Sequence, residues 1–105
     1  MSEYLIRVEL HYENDYTSFH SAMAKRGCER TIKDVNTGVV YDLPTGTYYT
    51  KTSISRTAVV ALVQAAVTEV GCTASIVVAT ATGITWSGLK KHEMSLGEML
   101  FAMNR

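Results

Sequence analysis

Three features of the sequence predict an α+β fold in which two helices pack on one face of a four-stranded antiparallel sheet. The first is an amphipathic helix that begins after Ser55 and ends near Gly71. The second is segment 4–11, where apolar and polar side chains alternate with the period of a β-strand. The third is the order strand, helix, Gly-Cys, strand, which occurs in each half of the chain. Together they give the order β-α-β-β-α-β of the ferredoxin-like fold.

The helix after Ser55 has recognisable residues at both ends. The Ser55 hydroxyl is suited to accept from an unpaired amide of the first turn, and a helix commonly closes in a left-handed conformation at a glycine such as Gly71. Its predicted buried face comprises Val59, Leu62, Val63, Ala66, Val67 and Val70. Segment 72–81, which is rich in small and β-branched residues, then predicts a strand buried on both faces or nearly so.

The N-terminal half follows the same plan. The even-numbered positions of the first strand are expected to face the core, and they are Tyr4, Ile6, Val8 and Leu10. Asn14 or Asp15 is the predicted cap of a helix of roughly three turns that stops at Gly27. The apolar stripe of that helix consists of Tyr16, Phe19, Ala22 and Met23.

A hairpin and a further strand are predicted between the two helices. Segment 28–34 is a moderate strand, the turn V-N-T-G follows it, and V-V-Y-D-L is extended as far as Pro44. Segment 47–52, T-Y-Y-T-K-T, is strongly β-prone and leads into the helix after Ser55.

The C-terminal part is additional to this fold. We expect a ferredoxin-like domain over residues 1–89, in which Trp86 is a packing anchor, and a linker with a short helix over 90–105. Ser95 and Glu98 have the spacing of a capping box for that helix. Its apolar side consists of Leu96, Met99, Leu100 and Met103. So short a helix must dock, either on the open face of the sheet or on a second subunit.

Composition excludes several classes of protein. The 105 residues suffice for one core but not for two domains, and 47% hydrophobic with 19% charged residues is typical of globular proteins. Lys plus Arg and Asp plus Glu each number 10, so there is no global charge signature for nucleic acid or a membrane. Neither DNA nor a membrane is an expected partner, and any basic surface must be local. The longest apolar run, 58–63, is far shorter than the ~20 residues that span a bilayer, and the N-terminus lacks the layout of a signal peptide. We therefore expect a cytoplasmic protein.

Cysteines and acidic residues give no sign of a metal or a cofactor. Cys28 and Cys72 are expected to pack as small buried hydrophobes rather than to form a disulfide. Two cysteines and three scattered histidines do not make a zinc site. The sequence contains no carboxylate pair, Gly-rich phosphate loop or nucleophile elbow of known spacing, so we expect no metal and no cofactor.

One cluster of residues has the composition that metal-free RNA cleavage needs. His20 lies on the first predicted helix, and Arg26, Arg30 and Lys33 follow within 14 residues. Because a histidine can take the proton of the 2′-hydroxyl and a cation can stabilise the phosphorane, His20 and Arg30 are the candidate catalytic residues. Arg26 and Lys33 are candidate RNA-binding residues. The alternative is a partly exposed helical histidine beside ordinary surface charge, and geometry must decide.

The open face of the sheet is a second candidate surface. Arg7 and His11 on the first strand, with Tyr49 and Lys51 on a neighbouring strand, combine cations with an aromatic ring. Such a combination suits RNA bases and phosphates, so these four residues complete the predicted RNA-binding set. The alternatives are that this face is a dimer interface or is covered by the C-terminal segment.

Several strings resemble one bacterial family. They are Y-L-I-R-V-E-L at Tyr4, H-S-A-M at His20, R-T-I at Arg30, Y-x-L-P-T at Tyr41 and T-W-S-G-L at Thr85. On these strings, which cover most of 1–89, the chain resembles the GhoS-type endoribonuclease antitoxins of type V toxin-antitoxin systems, formerly a domain of unknown function. The resemblance implies a Cas2-like ferredoxin fold and a ribonuclease that cuts the messenger of a membrane-active toxin. No catalytic motif transfers residue by residue, so His20 and Arg30 rest on chemistry alone.

Two hypotheses about function result. The first is an RNA-binding endoribonuclease of the antitoxin type, which cleaves single-stranded or loop RNA without a firm metal requirement. The alternative is a non-enzymatic protein-interaction module of a small bacterial or mobile-element protein, which uses the open sheet face and the C-terminal helix. The formal net charge of zero favours the second hypothesis. A homodimer is compatible with both.

Overall fold

The computed structural model describes residues 1–93, which form an α+β structure of two helices and antiparallel strands. The strands in this range are β1 (Ser2–Leu10), β2 (Thr31–Lys33), β3 (Val40–Asp42), β4 (Thr47–Thr52) and β5 (Ala74–Thr80). The helices are α1 (Thr17–Ala24) and α2 (Arg56–Glu69). The predicted C-terminal helix, with Ser95 and Leu96, lies outside the described residues. Neither α1 nor α2 is long and apolar enough to cross a membrane.

Five strands form a three-stranded sheet and a hairpin. The sheet has the order β4-β1-β5 with antiparallel neighbours throughout, and β2 pairs antiparallel with β3 as the predicted hairpin. One isolated bridge joins the segment just before β2 to β4, because the amides of Glu29 and Tyr49 each donate to the carbonyl of the other at 2.8 Å. The sequence predicts one sheet of four strands. The structure instead has a sheet of three strands, to which the hairpin is linked by this bridge.

The core lies between the sheet and the two helices, on the predicted face of β1. The four positions of β1 predicted to face the core, Tyr4, Ile6, Val8 and Leu10, are buried. The helices add the buried residues Phe19, Ala22, Met23, Val59, Val63, Ala66 and Val67. Leu62 and Val70 are only half-buried but pack against this cluster. The predicted cap of α2 is confirmed, since Ser55 Oγ accepts from the Ala58 amide at 3.1 Å. Gly71 closes the helix at a φ of +73°.

Helix α1 begins later and is shorter than predicted. It has eight residues, about two turns, and Tyr16 occupies its N-cap position without a side-chain cap. The Asp15 carboxylate instead accepts from the Thr17 amide at 2.9 Å, just before the helix. The physical reason lies in Tyr16, whose hydroxyl accepts from the Leu10 amide at 3.0 Å and ties the start of α1 to the end of β1.

The expectation that the last strand is buried on both faces is wrong. β5 lies at the edge of the three-stranded sheet, and the helices cover one face of that sheet only. Its residues Ile76 and Val78 are half-buried against the core, whereas Ser75 and Ala79 are exposed and Val77 is 63% exposed. Small and β-branched composition therefore reflects β-propensity here and not burial on two sides.

Both cysteines are free, as predicted: Cys28 is buried and Cys72 is half-buried. After β5 the chain returns to the hairpin without forming a further strand up to residue 93. The Asp42 amide donates to the Lys90 carbonyl at 2.8 Å, which fixes this return segment against β3. Trp86 packs on the ring of Tyr41 with centroids 5.6 Å apart, in agreement with its expected packing role.

Gly46 is the position before β4 where a side chain does not fit. Its φ is +84°, and an added Cβ would lie 2.5 Å from the carbonyl oxygen of Val8 and against the guanidinium of Arg7. Gly83 offers the matched control, since nothing lies within 4 Å of a Cβ built there.

We expect Gly46→Ala to lower the free energy of unfolding by about 2–4 kcal/mol, because it adds left-handed strain to a contact with the backbone. Gly83→Ala should change the free energy of unfolding by less than about 0.5 kcal/mol. Urea denaturation of the two variants measures both values. Equal stability of the two variants would contradict the close packing of Gly46 against β1.

Candidate functional site

The first candidate site forms where α1 packs on β4. Helix α1 carries His20 on the flank of its buried face, where the side chain is half-buried. Tyr48 of β4 is fully buried, at 0% exposure, and its hydroxyl oxygen lies 2.7 Å from Nδ1 of His20. The ring of Tyr16 lies on another side of the imidazole, with centroids 6.0 Å apart. Two tyrosine rings thus hold the imidazole at the edge of the core.

The direction of the hydrogen bond between His20 and Tyr48 follows from burial. Within residues 1–93, His20 is the only hydrogen-bond partner of the Tyr48 hydroxyl. A buried hydroxyl proton without an acceptor is costly, so Tyr48 donates to Nδ1 and the ring proton of neutral His20 lies on Nε2. Nε2 makes no hydrogen bond to the described residues. The imidazole therefore offers an N–H donor to whatever binds beside α1.

Local electrostatics keep both groups of this pair in their uncharged forms. Burial lowers the pKa of His20 below its ordinary value of 6.5, and the charge of Arg30 lowers it further, against a smaller opposing effect of Asp15. Burial also raises the pKa of the Tyr48 phenol. At neutral pH the site therefore contains a neutral imidazole and a protonated phenol, with the guanidinium as the nearby positive charge.

Arg30 is brought to this site, but Arg26 is not. Arg30 is exposed, and its charge acts on the pKa values of both His20 and Tyr48. Arg26 donates to the Ala22 carbonyl at 2.8 Å and to Glu69 at 3.1 Å. The candidate RNA-binding residue Arg26 thus serves to join α1 to α2.

A groove on the open side of the sheet contains three other predicted RNA-binding residues. Lys33, Tyr49 and Lys51 line a cavity of about 810 Å³ that Trp86 also borders. The Tyr49 hydroxyl donates to the Glu3 carboxylate, and burial with this bond raises the pKa of Tyr49 to about 12. The charged residues that line this groove are Glu3, Glu29, Lys33, Asp34 and Lys51. Three carboxylates against two ammonium groups weaken the expected attraction for phosphate.

Arg7 lies on the outer face of β1 and His11 follows directly after the end of that strand, and both side chains form hydrogen bonds. The Arg7 guanidinium donates to the carbonyl of Val8 and lies 3.5 Å from that of Gly46. His11 is hydrogen-bonded through both ring nitrogens, to the hydroxyls of Thr73 and Ser75 at 3.0 Å each. Both side chains therefore make intramolecular hydrogen bonds along the sheet surface.

Sequence reasoning missed Tyr48, Tyr16 and Asp15 as parts of the His20 site. The signal for Tyr48 was available, because in T-Y-Y-T-K-T only one of two adjacent tyrosines can face the core. Which residue meets its hydroxyl depends on the packing of α1, and that is not visible in local sequence. Among residues 1–93, no group of three or more His, Cys, Asp or Glu side chains is arranged to hold a metal ion.

Comparisons of the chain with protein-family models, with curated proteins and with solved structures give no match. The site is therefore interpreted from its own geometry.

The arrangement predicts how His20 titrates. Arg30→Ala should raise the pKa of His20, because a positive charge that disfavours the imidazolium is removed. Asp15→Asn should lower it, since a negative charge is lost. Arg56→Ala is the matched control, because it removes an exposed arginine of α2, and it should leave the pKa of His20 unchanged. An NMR titration of the imidazole carbon-bound protons gives all three values, and an unshifted pKa in Arg30→Ala would place the guanidinium out of reach of His20.

Proposed function

We propose that the protein is a metal-independent endoribonuclease that acts on single-stranded or loop RNA at His20 and Arg30. The observation that carries the proposal is the 2.7 Å contact between His20 Nδ1 and the buried Tyr48 hydroxyl, together with the charge of Arg30, which acts on both groups. In this arrangement the Nε2 proton of a neutral imidazole is free to donate, within the electrostatic influence of a guanidinium. Two such donors of different charge are suited to the oxygens of a phosphodiester.

The chemistry proposed for this pair is stabilisation of the phosphorane. The 2′-oxygen attacks the adjacent phosphorus, the bond to the 5′-oxygen breaks, and a 2′,3′-cyclic phosphate and a 5′-hydroxyl result. His20 and Arg30 donate to the non-bridging oxygens as negative charge develops on them. Water takes the 2′-hydroxyl proton and returns one to the 5′-oxygen.

This assignment changes the role that the sequence suggested for His20. A general base needs an unprotonated Nε2, and the hydrogen bond that Tyr48 donates to Nδ1 favours the opposite tautomer. The residue pair stays the same, while proton transfer is replaced by charge stabilisation.

We infer that the segment at Glu29 and β2 continues the sheet, which gives the order β5-β1-β4-β2 with antiparallel neighbours. This order, with α1 and α2 as crossovers, is that of the ferredoxin-like fold. It supports the resemblance to the GhoS-type antitoxins, for which the substrate would be a toxin messenger RNA. A fold alone does not establish the reaction.

Cleavage measurements test the proposed site directly. His20→Ala and Arg30→Ala should each lower the cleavage rate of a single-stranded RNA by about 10²-fold or more, as loss of a transition-state donor does. Arg56→Ala is the control for the loss of an exposed arginine and should cleave at the wild-type rate, and chelation with EDTA should have no effect. Melting temperatures check that the variants are folded. RNA left intact by the wild type would refute the enzyme, and full activity of both variants would refute the site.

The second candidate function is a protein-interaction module without activity. The observation that favours it is the exposed apolar surface of β5, where Val77 is 63% exposed.

Salt dependence separates the two functions. An RNA-binding protein that neutralises phosphates loses affinity steeply as salt rises, because bound counterions are released. We therefore expect fluorescence polarisation of labelled single-stranded RNA to give a dissociation constant that increases between low and physiological salt. Arg30→Ala should reduce that slope, because it removes a cation of the proposed site, whereas Lys25→Ala, which removes an exposed lysine paired with Glu69, should not. Absence of RNA affinity at low salt would favour the interaction module.

A further inference from the structure

The outer edge of β5 carries unpaired backbone groups within the described part of the chain. β5 hydrogen-bonds to β1 alone, and no strand of residues 1–93 pairs with its other side. The His11 amide donates to the Thr73 carbonyl and the Ala81 amide to the Glu3 carbonyl, both at 2.8 Å. Because the backbone groups of a strand alternate in direction, the odd positions of β5 bond β1. The backbone N–H and C=O groups of Ala74, Ile76, Val78 and Thr80 therefore point away from β1.

This edge lacks the features by which proteins usually protect a free strand. The sequence of β5, A-S-I-V-V-A-T, contains no charged residue and no proline. Its outward side chains on the open face are small or apolar, and the central one, Val77, is 63% exposed. A strand with these properties is a template for pairing with another strand.

The helix layer above β5 also presents an exposed valine on this side. Arg56 at the start of α2 donates to the Thr80 hydroxyl at 3.0 Å, so this side of the helix lies over β5. Glu69, which pairs with Lys25 and Arg26 of the α1 segment, marks the opposite side. Val60 lies one helical turn from Arg56 and is 38% exposed. Both layers therefore present an exposed valine at the β5 edge.

We propose that β5 pairs antiparallel with β5 of a second copy of this chain, with Val77 opposite its own counterpart. In this register Ile76 lies opposite Val78, and Ala74 lies opposite Thr80. Every outward-pointing backbone group of the strand then meets another outward-pointing group, and the two three-stranded sheets become one sheet of six strands.

A second copy fits this edge better than a partner of another kind. The seven residues of β5 are centred on Val77, so antiparallel pairing about that residue is two-fold symmetric and leaves no overhang. Such an interface uses the same surface on both copies and closes at the dimer. The strand itself carries no charged residue that would select a basic or acidic partner, and the net charge of zero gives no long-range repulsion between copies.

Sedimentation velocity from low micromolar to millimolar concentration tests the proposal on the full chain. We expect a monomer–dimer equilibrium whose dissociation constant rises about tenfold or more in Val77→Lys, a loss of at least ~1.4 kcal/mol. Val35→Lys is the matched control, because Val35 is 90% exposed but lies in the hairpin loop, away from β5. This variant should dimerise as the wild type does. A monomer at all concentrations, assemblies larger than a dimer, or an unaffected Val77→Lys dimer would overturn the proposal.

Hydrogen exchange of the wild type provides a second readout that needs no variant. The amides of Ile76 and Val78 point to the free edge, so they should exchange rapidly in dilute protein and become protected as the dimer forms. Protection that does not depend on concentration would mean that residues 94–105 of the same chain cover this edge, and would overturn the dimer. Rapid exchange at every concentration would overturn it as well.

Discussion

The hydroxyl of Tyr48 lies inside the molecule, where an unpaired donor costs about 1–3 kcal/mol. His20 Nδ1, at 2.7 Å, is the acceptor that removes this cost. One hydrogen bond thereby ties α1 to β4 and fixes the plane and the tautomer of the imidazole. The donor at Nε2 depends on that bond, whereas burial of the ring, and after it the charge of Arg30, lowers the pKa of His20.

The two proposed functional surfaces lie at opposite edges of the sheet. Arg30 precedes β2, which adjoins β4 through the bridge between Glu29 and Tyr49, while β5 is at the far side of β1. Dimer formation through β5 would therefore leave the His20 site open in both copies. The open sheet face between them carries a groove with more carboxylates than ammonium groups, so phosphate is expected at the edge and not across the face.

Local sequence predicts what depends on periodicity and on capping. The alternation in β1, the buried face of α2 and the left-handed Gly71 are local properties, and the structure contains all three. It does not predict what depends on sheet position. The composition of β5 is that of a central strand, yet the strand lies at an edge, because strand order is set by contacts between distant segments. The ion pair of Arg26 is not predictable for the same reason, since its partner Glu69 lies 43 residues away.

The measurement that tests this account most directly is the tautomer of His20. Long-range proton–nitrogen correlation spectra distinguish a protonated from an unprotonated ring nitrogen. We expect neutral His20 to carry its proton on Nε2, with Nδ1 unprotonated and accepting from Tyr48, and Tyr48→Phe to shift the Nδ1 resonance. A ring proton on Nδ1 in the wild type would contradict the account, because Nε2 would then be a base and not a donor to phosphate.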